Sequence, residues 1–251
     1  MRWLSSFFHN RPFADRTLCH FLRRRLTLPM LSLADLFPNF DERIVSIGQV
    51  PQGSWSTPLS DLVMLLKIAV CTEPKRVMEI GSYRGYTALF LAQHISPDAK
   101  IVTMDRHPDH GEAYRMTPFA GMIERRVGEI DRAMSERDES ASYDLIFVDA
   151  DHSYESVRND TELVLPLLSP AGFIVWHDYA NWGYFSGQNG VPEYLGELGA
   201  TLLIGHVLGS TLAIHSPSWI SGAGRERFRS ATRVASEEIG ADPWQGNLPR
   251  G

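Results

Sequence analysis

Residues 147–155 read "FVDADHSYE", and 173–179 read "FIVWHDY". Each stretch is a hydrophobic run that stops abruptly at titratable side chains. Asp149, Asp151, His152 and Glu155 fall within seven positions of the first, and His177 and Asp178 end the second. Carboxylates and an imidazole so placed could bind a metal, act as a general base, clasp a cofactor, or only cap the next helix. Composition does not choose among these, so the elements that would position them come next.

The runs VMEI, IVTM, LIFV and FIVW are apolar but for Glu79 and Thr103, as suits strands covered on both faces. Strands are expected at 76–82, 100–106, 123–129, 143–150 and 173–179. Between them, residues 59–72, 86–95 and 153–168 have helical apolar spacing. A polar helix is expected from about 130 to Arg137, and "SPAG" (169–172) reads as a turn. Strands alternating with helices of this length make βαβ units and a parallel sheet. The end differs: "ATLLIGHVL" (200–208) meets "STLAIHS" (210–216) across Gly209–Ser210, which signals an antiparallel hairpin. The reading is an α/β, Rossmann-like sheet of seven strands, mostly parallel, with a C-terminal antiparallel hairpin and helices on both faces.

The turn after the first strand is "EIGSYRGYT" (79–87). Its G-x-x-x-G spacing is not the G-x-G-x-x-G of dinucleotide enzymes. Gly81 permits a close backbone approach, and Gly85 lets a helix start near the strand. Asp105 ends the second strand, 24 residues beyond Gly81. An acid there can accept both ribose hydroxyls of an adenosine cofactor. Glu79, Gly81, Gly85 and Asp105 together point to a nucleoside site.

With these residues in hand, the chain resembles the class I S-adenosylmethionine-dependent methyltransferases. It is most similar to small-molecule O-methyltransferases of the catechol and caffeoyl-CoA type and of the antibiotic-sugar type. "VMEIGSYRGYTALFLA" follows the family pattern E-[IL]-G-x-[YF]-x-G-Y-[ST]. "TMDRHPD", "FVDADHSYE", "GFIVWHDY" and the closing hairpin also match, over about residues 59–216. The resemblance implies that Gly81, Ser82 and Tyr83 lie along the methionine part of the cofactor, with Glu79 beneath. Thr87 is then near the methionine carboxylate, at a helix N-terminus that suits anions. Asp105 holds the ribose, Arg106 flanks the adenine, and Gly128, Glu129 and Ile130 form the adenine-edge loop. It further implies a divalent metal (Mg, Mn or Fe) on Asp149, Asp178 and His177, with Asp149 also beside the cofactor methyl. The base is His152 or Asp151, with His152 preferred on intrinsic pKa.

This chain departs from the pattern at "WHDY". Catechol-type relatives have Asp-Asn where Asp178-Tyr179 stands, and sugar-type relatives have Asp-Asp where His177-Asp178 stands. Histidine suits Mn, Fe, Zn or Ni better than Mg. His177 is therefore either a ligand or a histidine hydrogen-bonded beneath the substrate loop. Asp151 and Ser153 could simply cap the following helix, and Glu155 suits its first turn. "YANWGYFSGQNG" (179–190) reads as an aromatic, glycine-rich substrate lid.

Bulk properties bound the rest. The chain has 251 residues, 43% hydrophobic and 22% charged, which suits a soluble protein with one substantial core. The net charge of −6 does not suggest a nucleic-acid binder. No apolar run reaches the ~18 residues of a spanning helix. Cys19 and Cys71 give no disulfide framework and fit a reducing, cytoplasmic compartment. Residues 1–28 hold six arginines against one acid, interleaved with aromatics. They could be a membrane-surface helix or a transit peptide, but the preferred reading is a helical extension packing on its own domain or on a second subunit.

The expected organisation is a helical extension (1–58), a cofactor-binding domain (59–217) and a helical then disordered tail (218–251). The expected function is methyl transfer from S-adenosylmethionine to a hydroxyl of a small molecule, a sugar or other natural product. A cephalosporin-hydroxylase-like metal enzyme and a non-catalytic cofactor-binding module are the competing readings.

Overall fold

The four apolar runs lie side by side at the centre of one sheet. The computed structural model describes residues 26–48, 56–131, 143–181, 190–220 and 222–238. The chain forms β1 (Met30–Leu31), α1 (Leu33–Leu36), α2 (Leu59–Thr72), β2 (Arg76–Ile80), α3 (Tyr86–His94), β3 (Lys100–Asp105) and β4 (Ile123–Val127). It continues through β5 (Tyr143–Val148), α4 (Tyr154–Val164), β6 (Leu168–Trp176), α5 (Val191–Leu198), β7 (Ile204–Val207), β8 (Ala213–His215) and α6 (Gly222–Glu238). The sheet order is β1-β7-β8-β6-β5-β2-β3-β4. Only β8 runs against its neighbours, β6 and β7.

Side chains alternate along the central strands and divide the core in two. Val77, Ile101, Leu145, Phe147 and Val175 pack with α2, α3 and α6. Met78, Val102, Ile146, Val148 and Trp176 pack with α4 and α5. Successive strand residues point to opposite faces, so a run that is apolar throughout needs helices on both sides. Among the described residues, no helix is long and apolar enough to cross a membrane.

Among the described residues the sheet has eight strands where seven were expected. The extra one, β1, pairs in parallel with β7 at the edge, Met30 opposite His206 and Leu31 opposite Val207. Two residues carry no periodicity, so nothing in "LPML" marks a strand. Helix α6 lies over β1 and α1, with Ser32 N–H donating to Ala231 C=O at 3.2 Å. The "SPAG" segment is not a free turn but part of β6. There the pairing register with β5 breaks between Tyr143 and Leu145. Helix α4 stops at Val164, and a 3-10 turn over Leu165–Leu167 accommodates Pro166. The hairpin loop is wider than Gly209–Ser210: Val207 N–H donates to Leu212 C=O at 2.9 Å, leaving Leu208 to Thr211 between the strands.

The basic residues 1–25, the expected helix over 132–137, the lid residues 182–189 and the tail beyond 238 lie outside the described residues.

Register decides where the chemistry goes. Met104, Ile80, Val148 and Trp176 lie in one row across β3, β2, β5 and β6. The next residue of each strand is therefore Asp105, Gly81, Asp149 and His177. Backbone bonds continue the row: Gly81 N–H to Met104 C=O (2.9 Å), Asp149 N–H to Ile80 C=O (2.8 Å) and His177 N–H to Val148 C=O (3.0 Å). Neighbouring strands stand about 4.8 Å apart. Four positions far apart in sequence thus share one edge, at the point where strand order reverses between β2 and β5.

Candidate active site

A cleft of about 780 Å³ opens along that edge. Of the residues singled out in the sequence, Gly81, Ser82, Tyr83, Thr87, Asp105, Arg106, Gly128, Glu129, Ile130, Asp149, Asp151, His152, His177 and Asp178 all line it. Glu79 and Gly85 do not.

Asp105 locks the glycine turn. Its Oδ2 accepts from Ser82 N–H (3.1 Å) and Tyr83 N–H (2.7 Å), and Oδ1 accepts from His107 N–H (2.8 Å). Tyr83 is held at φ +47° by this turn. Gly81, at φ +96°, lies so close to β5 that a Cβ would meet the Asp149 carbonyl oxygen at 2.0 Å. Its glycine requirement is thus a strand-end contact beside the cleft. Gly85 faces away: a Cβ there would strike the Tyr114 ring at 2.6 Å and Gly111 Cα at 2.7 Å. It starts α3 at φ +82° and packs the 111–114 loop, so the structure gives it a packing place rather than a cleft wall.

Glu79 is fully buried under the turn, where its carboxylate accepts from the Thr103 hydroxyl. Burial pushes its pKa up to about 8, the Asp149 charge adds to the rise, and the Thr103 bond opposes it. Below about 4.5 this group is protonated whether folded or unfolded. Between about 4.5 and 8 the unfolded chain has released the proton and the folded one has not, so stability falls as pH rises through that window. Glu79→Gln has no proton to release. Thermal melts of both proteins from pH 5 to 8 are expected to show the wild type losing ground to the variant steadily. A constant difference would place the Glu79 proton elsewhere.

The cleft's other end is lined by Met104, Gly128, Ile130 and Asp160. Gly128, at φ +131°, has nothing within 4 Å of where a Cβ would stand, so the loop leaves room there. Arg106 and Glu129 are exposed and 3.9 Å apart, too long for a hydrogen bond. Asp160, missed in the sequence, is buried on α4, and that burial raises its pKa to about 6. Thr87 begins α3 with its hydroxyl 3.1 Å from that of Thr57.

The titratable cluster lies where β5 and β6 end. Asp149, His152, His177 and Asp178 bring ligand-type atoms within 4.8 Å of one another. His152 Nε2 is 2.5 Å from Asp178 Oδ2 and 3.8 Å from Asp149 Oδ1. His177 Nδ1 is 2.8 Å from Asp149 Oδ1 and 3.3 Å from Asp178 Oδ1. Burial works against charge on both histidines, but the surrounding carboxylates outweigh it: His152 is raised and His177 is raised well above its usual value. Burial likewise opposes charge on Asp178, yet hydrogen bonds from His152 and His177 hold it far below the carboxylate range. Asp178 also has φ +61°, a conformation uncommon outside glycine that aims its carboxylate back into the cluster.

Asp151 takes no part in the cluster. Its Oδ1 accepts from Ser153 N–H at 2.8 Å, and that bond lowers its pKa. Ser153 is the N-cap of α4, its hydroxyl accepting from Ser156 N–H, and Glu155 falls in the first turn.

A second residue that the sequence did not single out stands behind the cluster. Asp61, in α2, is fully buried and lies 3.2 Å from His177 Nε2 through its Oδ2. The signal was present: "LSDLVMLLKI" puts this acid four before Leu65 and seven before Ile68, on the buried side of the helix.

Comparisons with known proteins point to one family. The family model described as "Methyltransferase domain" matches residues 78–179. A catechol O-methyltransferase of Mycobacterium tuberculosis is 31% identical over 107 residues, 41% of this chain and 48% of that protein. Caffeoyl-CoA O-methyltransferase 5 of Nicotiana tabacum is 32% identical over 129 residues, 48% of this chain and 51% of that protein. The chain thus spans about half the length of these curated relatives. An O-methyltransferase from Bacillus cereus, solved in complex with SAH, shares the fold with a TM-score of 0.51 at 19% identity, over 66% of this chain and 84% of that one. Residues 78–179 thus match a methyltransferase domain, and the resemblance to the class I S-adenosylmethionine-dependent methyltransferases drawn from the sequence stands.

Proposed function

We propose that the protein transfers a methyl group from S-adenosylmethionine to a hydroxyl of a small molecule, a sugar or other natural product, with help from a divalent cation. The single observation that carries this is the shared strand edge, which runs a nucleoside-sized cleft directly onto the Asp149–His152–His177–Asp178 cluster. The bound SAH of the Bacillus cereus neighbour and the names of the curated relatives support it.

The residues fit both groups. For the cofactor, the cleft offers a carboxylate midway (Asp105), an apolar end at Met104 and Ile130, and the start of α3 at Thr87. For the cation, the donor set is two carboxylates and two imidazoles. A bound divalent cation would lower the pKa of an acceptor hydroxyl and orient it. Asp149 and Asp178, with His177, would hold that cation.

The chain's own residues supply the rest. Asp105 and the Gly81–Tyr83 turn line the cleft where they would hold the cofactor, and holding both reactants there would let proximity lower the barrier to transfer. His152 is partly open to the cleft and sits against Asp178. With Nε2–H held against Asp178, the nitrogen free to take the acceptor's proton is Nδ1, and Asp178 then stabilises the imidazolium. Asp151 is occupied with the α4 cap, which favours His152 as the base.

Incubation with methyl-labelled S-adenosylmethionine and a panel of catechols, hydroxycinnamoyl esters and sugars, with and without divalent cations, tests this. Label is expected in one hydroxyl class, with a cation dependence. Cofactor binding with no labelled product from any hydroxyl class would count against methyl transfer to oxygen.

A further inference from the structure

We propose that Asp61 is a positioning residue that makes His177 a nitrogen ligand. The cluster is then a mixed nitrogen–oxygen site for transition-metal dications rather than an all-oxygen magnesium site. This rests on the reading of the cluster as a cation site given above.

Asp61 is fully buried and lines no part of the cleft, so it touches neither substrate nor cation directly. It is pinned from the β7–β8 loop: Thr211 N–H donates to Oδ1 at 2.8 Å, and the Thr211 hydroxyl donates to Oδ2 at 2.9 Å. A carboxylate held at both oxygens cannot turn away from His177, whose Nε2 lies 3.2 Å from Oδ2. An ionised carboxylate only accepts, so this contact puts a proton on Nε2. That leaves Nδ1, 2.8 Å from Asp149 Oδ1 and 3.3 Å from Asp178 Oδ1, as the nitrogen a cation would take, displacing the proton those carboxylates hold there.

Metal-ligating histidines almost always donate their other ring N–H to such a carboxylate, which fixes tautomer and ring orientation. A purely stabilising role explains the arrangement poorly, because buried ion pairs contribute little net stability compared with apolar packing. Thr211, in the wide hairpin loop, turns both its N–H and its hydroxyl toward Asp61. Magnesium prefers oxygen ligands, whereas imidazole suits iron, nickel, copper and zinc. With His177 and His152 both in the cluster, the donor set departs from magnesium's preference.

The test is calorimetric titration of Co²⁺ and of Mg²⁺ into wild type, Asp61→Asn and His177→Asp, with S-adenosylhomocysteine titrated into the same preparations. Asp61→Asn is expected to lose about 10- to 100-fold in Co²⁺ affinity, and less for Mg²⁺. His177→Asp should narrow the Co²⁺ over Mg²⁺ preference further and shift the visible absorption of bound Co²⁺. Nucleoside binding should survive in both. Unchanged Co²⁺ affinity in Asp61→Asn, equal losses for both ions, or no Co²⁺ binding to wild type each overturns the proposal. Should Asp61→Asn fail to fold, Thr211→Val removes one of the donors holding Asp61, and an unchanged Co²⁺-to-Mg²⁺ ratio there overturns it equally. Failure of wild type to bind the nucleoside while Co²⁺ still binds would strike the methyltransferase reading and leave the metal site standing.

Discussion

Asp149→Asn is expected to lower kcat/KM for methyl transfer by about 10³-fold or more while leaving S-adenosylhomocysteine binding nearly intact. Metal-assisted ionisation and orientation of the acceptor hydroxyl would contribute several kcal/mol, and about 1.4 kcal/mol corresponds to tenfold. Asp149 has the position for such an effect. It follows the last ladder residue of β5, touches His177 Nδ1 at 2.8 Å and His152 Nε2 at 3.8 Å, and lines the cleft beside Gly81. Its backbone N–H is already engaged with Ile80 C=O, so the isosteric amide keeps the strand end in place. What changes is the charge and the donor chemistry. Steady-state kinetics with parallel calorimetry checks this. Near-normal turnover would mean the cluster is structural, and loss of nucleoside binding would mean Asp149 belongs to the cofactor wall instead.

His152→Gln is the second large effect. A positioned general base contributes about 10²- to 10⁴-fold, and that range is expected in kcat with little change in cofactor affinity. The pH profile should lose the limb set by this group. Asp151→Asn provides the contrast. Asp151 accepts from Ser153 N–H at the start of α4, so its replacement should cost stability of the order of a helix cap, about 0.5–2 kcal/mol, with kcat changed only a few-fold. Thermal melting and kinetics on the pair separate the roles. If Asp151→Asn loses turnover and His152→Gln keeps it, the assignment of the base is reversed.

Much of this was legible in the sequence because it depends on local period and strand termini. Short apolar runs such as LIFV and FIVW, bounded by polar and turn residues, suit doubly covered strands, and the residue that follows each run then falls at the sheet edge. Asp105, Gly81, Asp149 and His177 could therefore be named before their register was known. Other features depend on partners distant in sequence. Strand β1 is two residues long and exists because β7 offers it an edge. The "SPAG" segment has turn chemistry, yet it is drawn into β6 with a break in register against β5. Gly85 looked like part of a cofactor cradle and instead makes room for Tyr114. Asp61 lies 116 residues from His177. An acid on the buried side of α2 announces a partner without saying which. Asp151 and His152, adjacent in "DADHS", were both candidates for the base, with only intrinsic pKa favouring His152. A backbone hydrogen bond to Ser153 separates them, and spacing alone does not reveal it.

The most direct test of the central claim is calorimetric titration of S-adenosylhomocysteine into the wild-type protein. Saturable binding at one site per chain, weakened at least about tenfold by Asp105→Ala through loss of the ribose carboxylate and its loop bonds, is the predicted result. No binding to the folded wild-type protein would contradict the account.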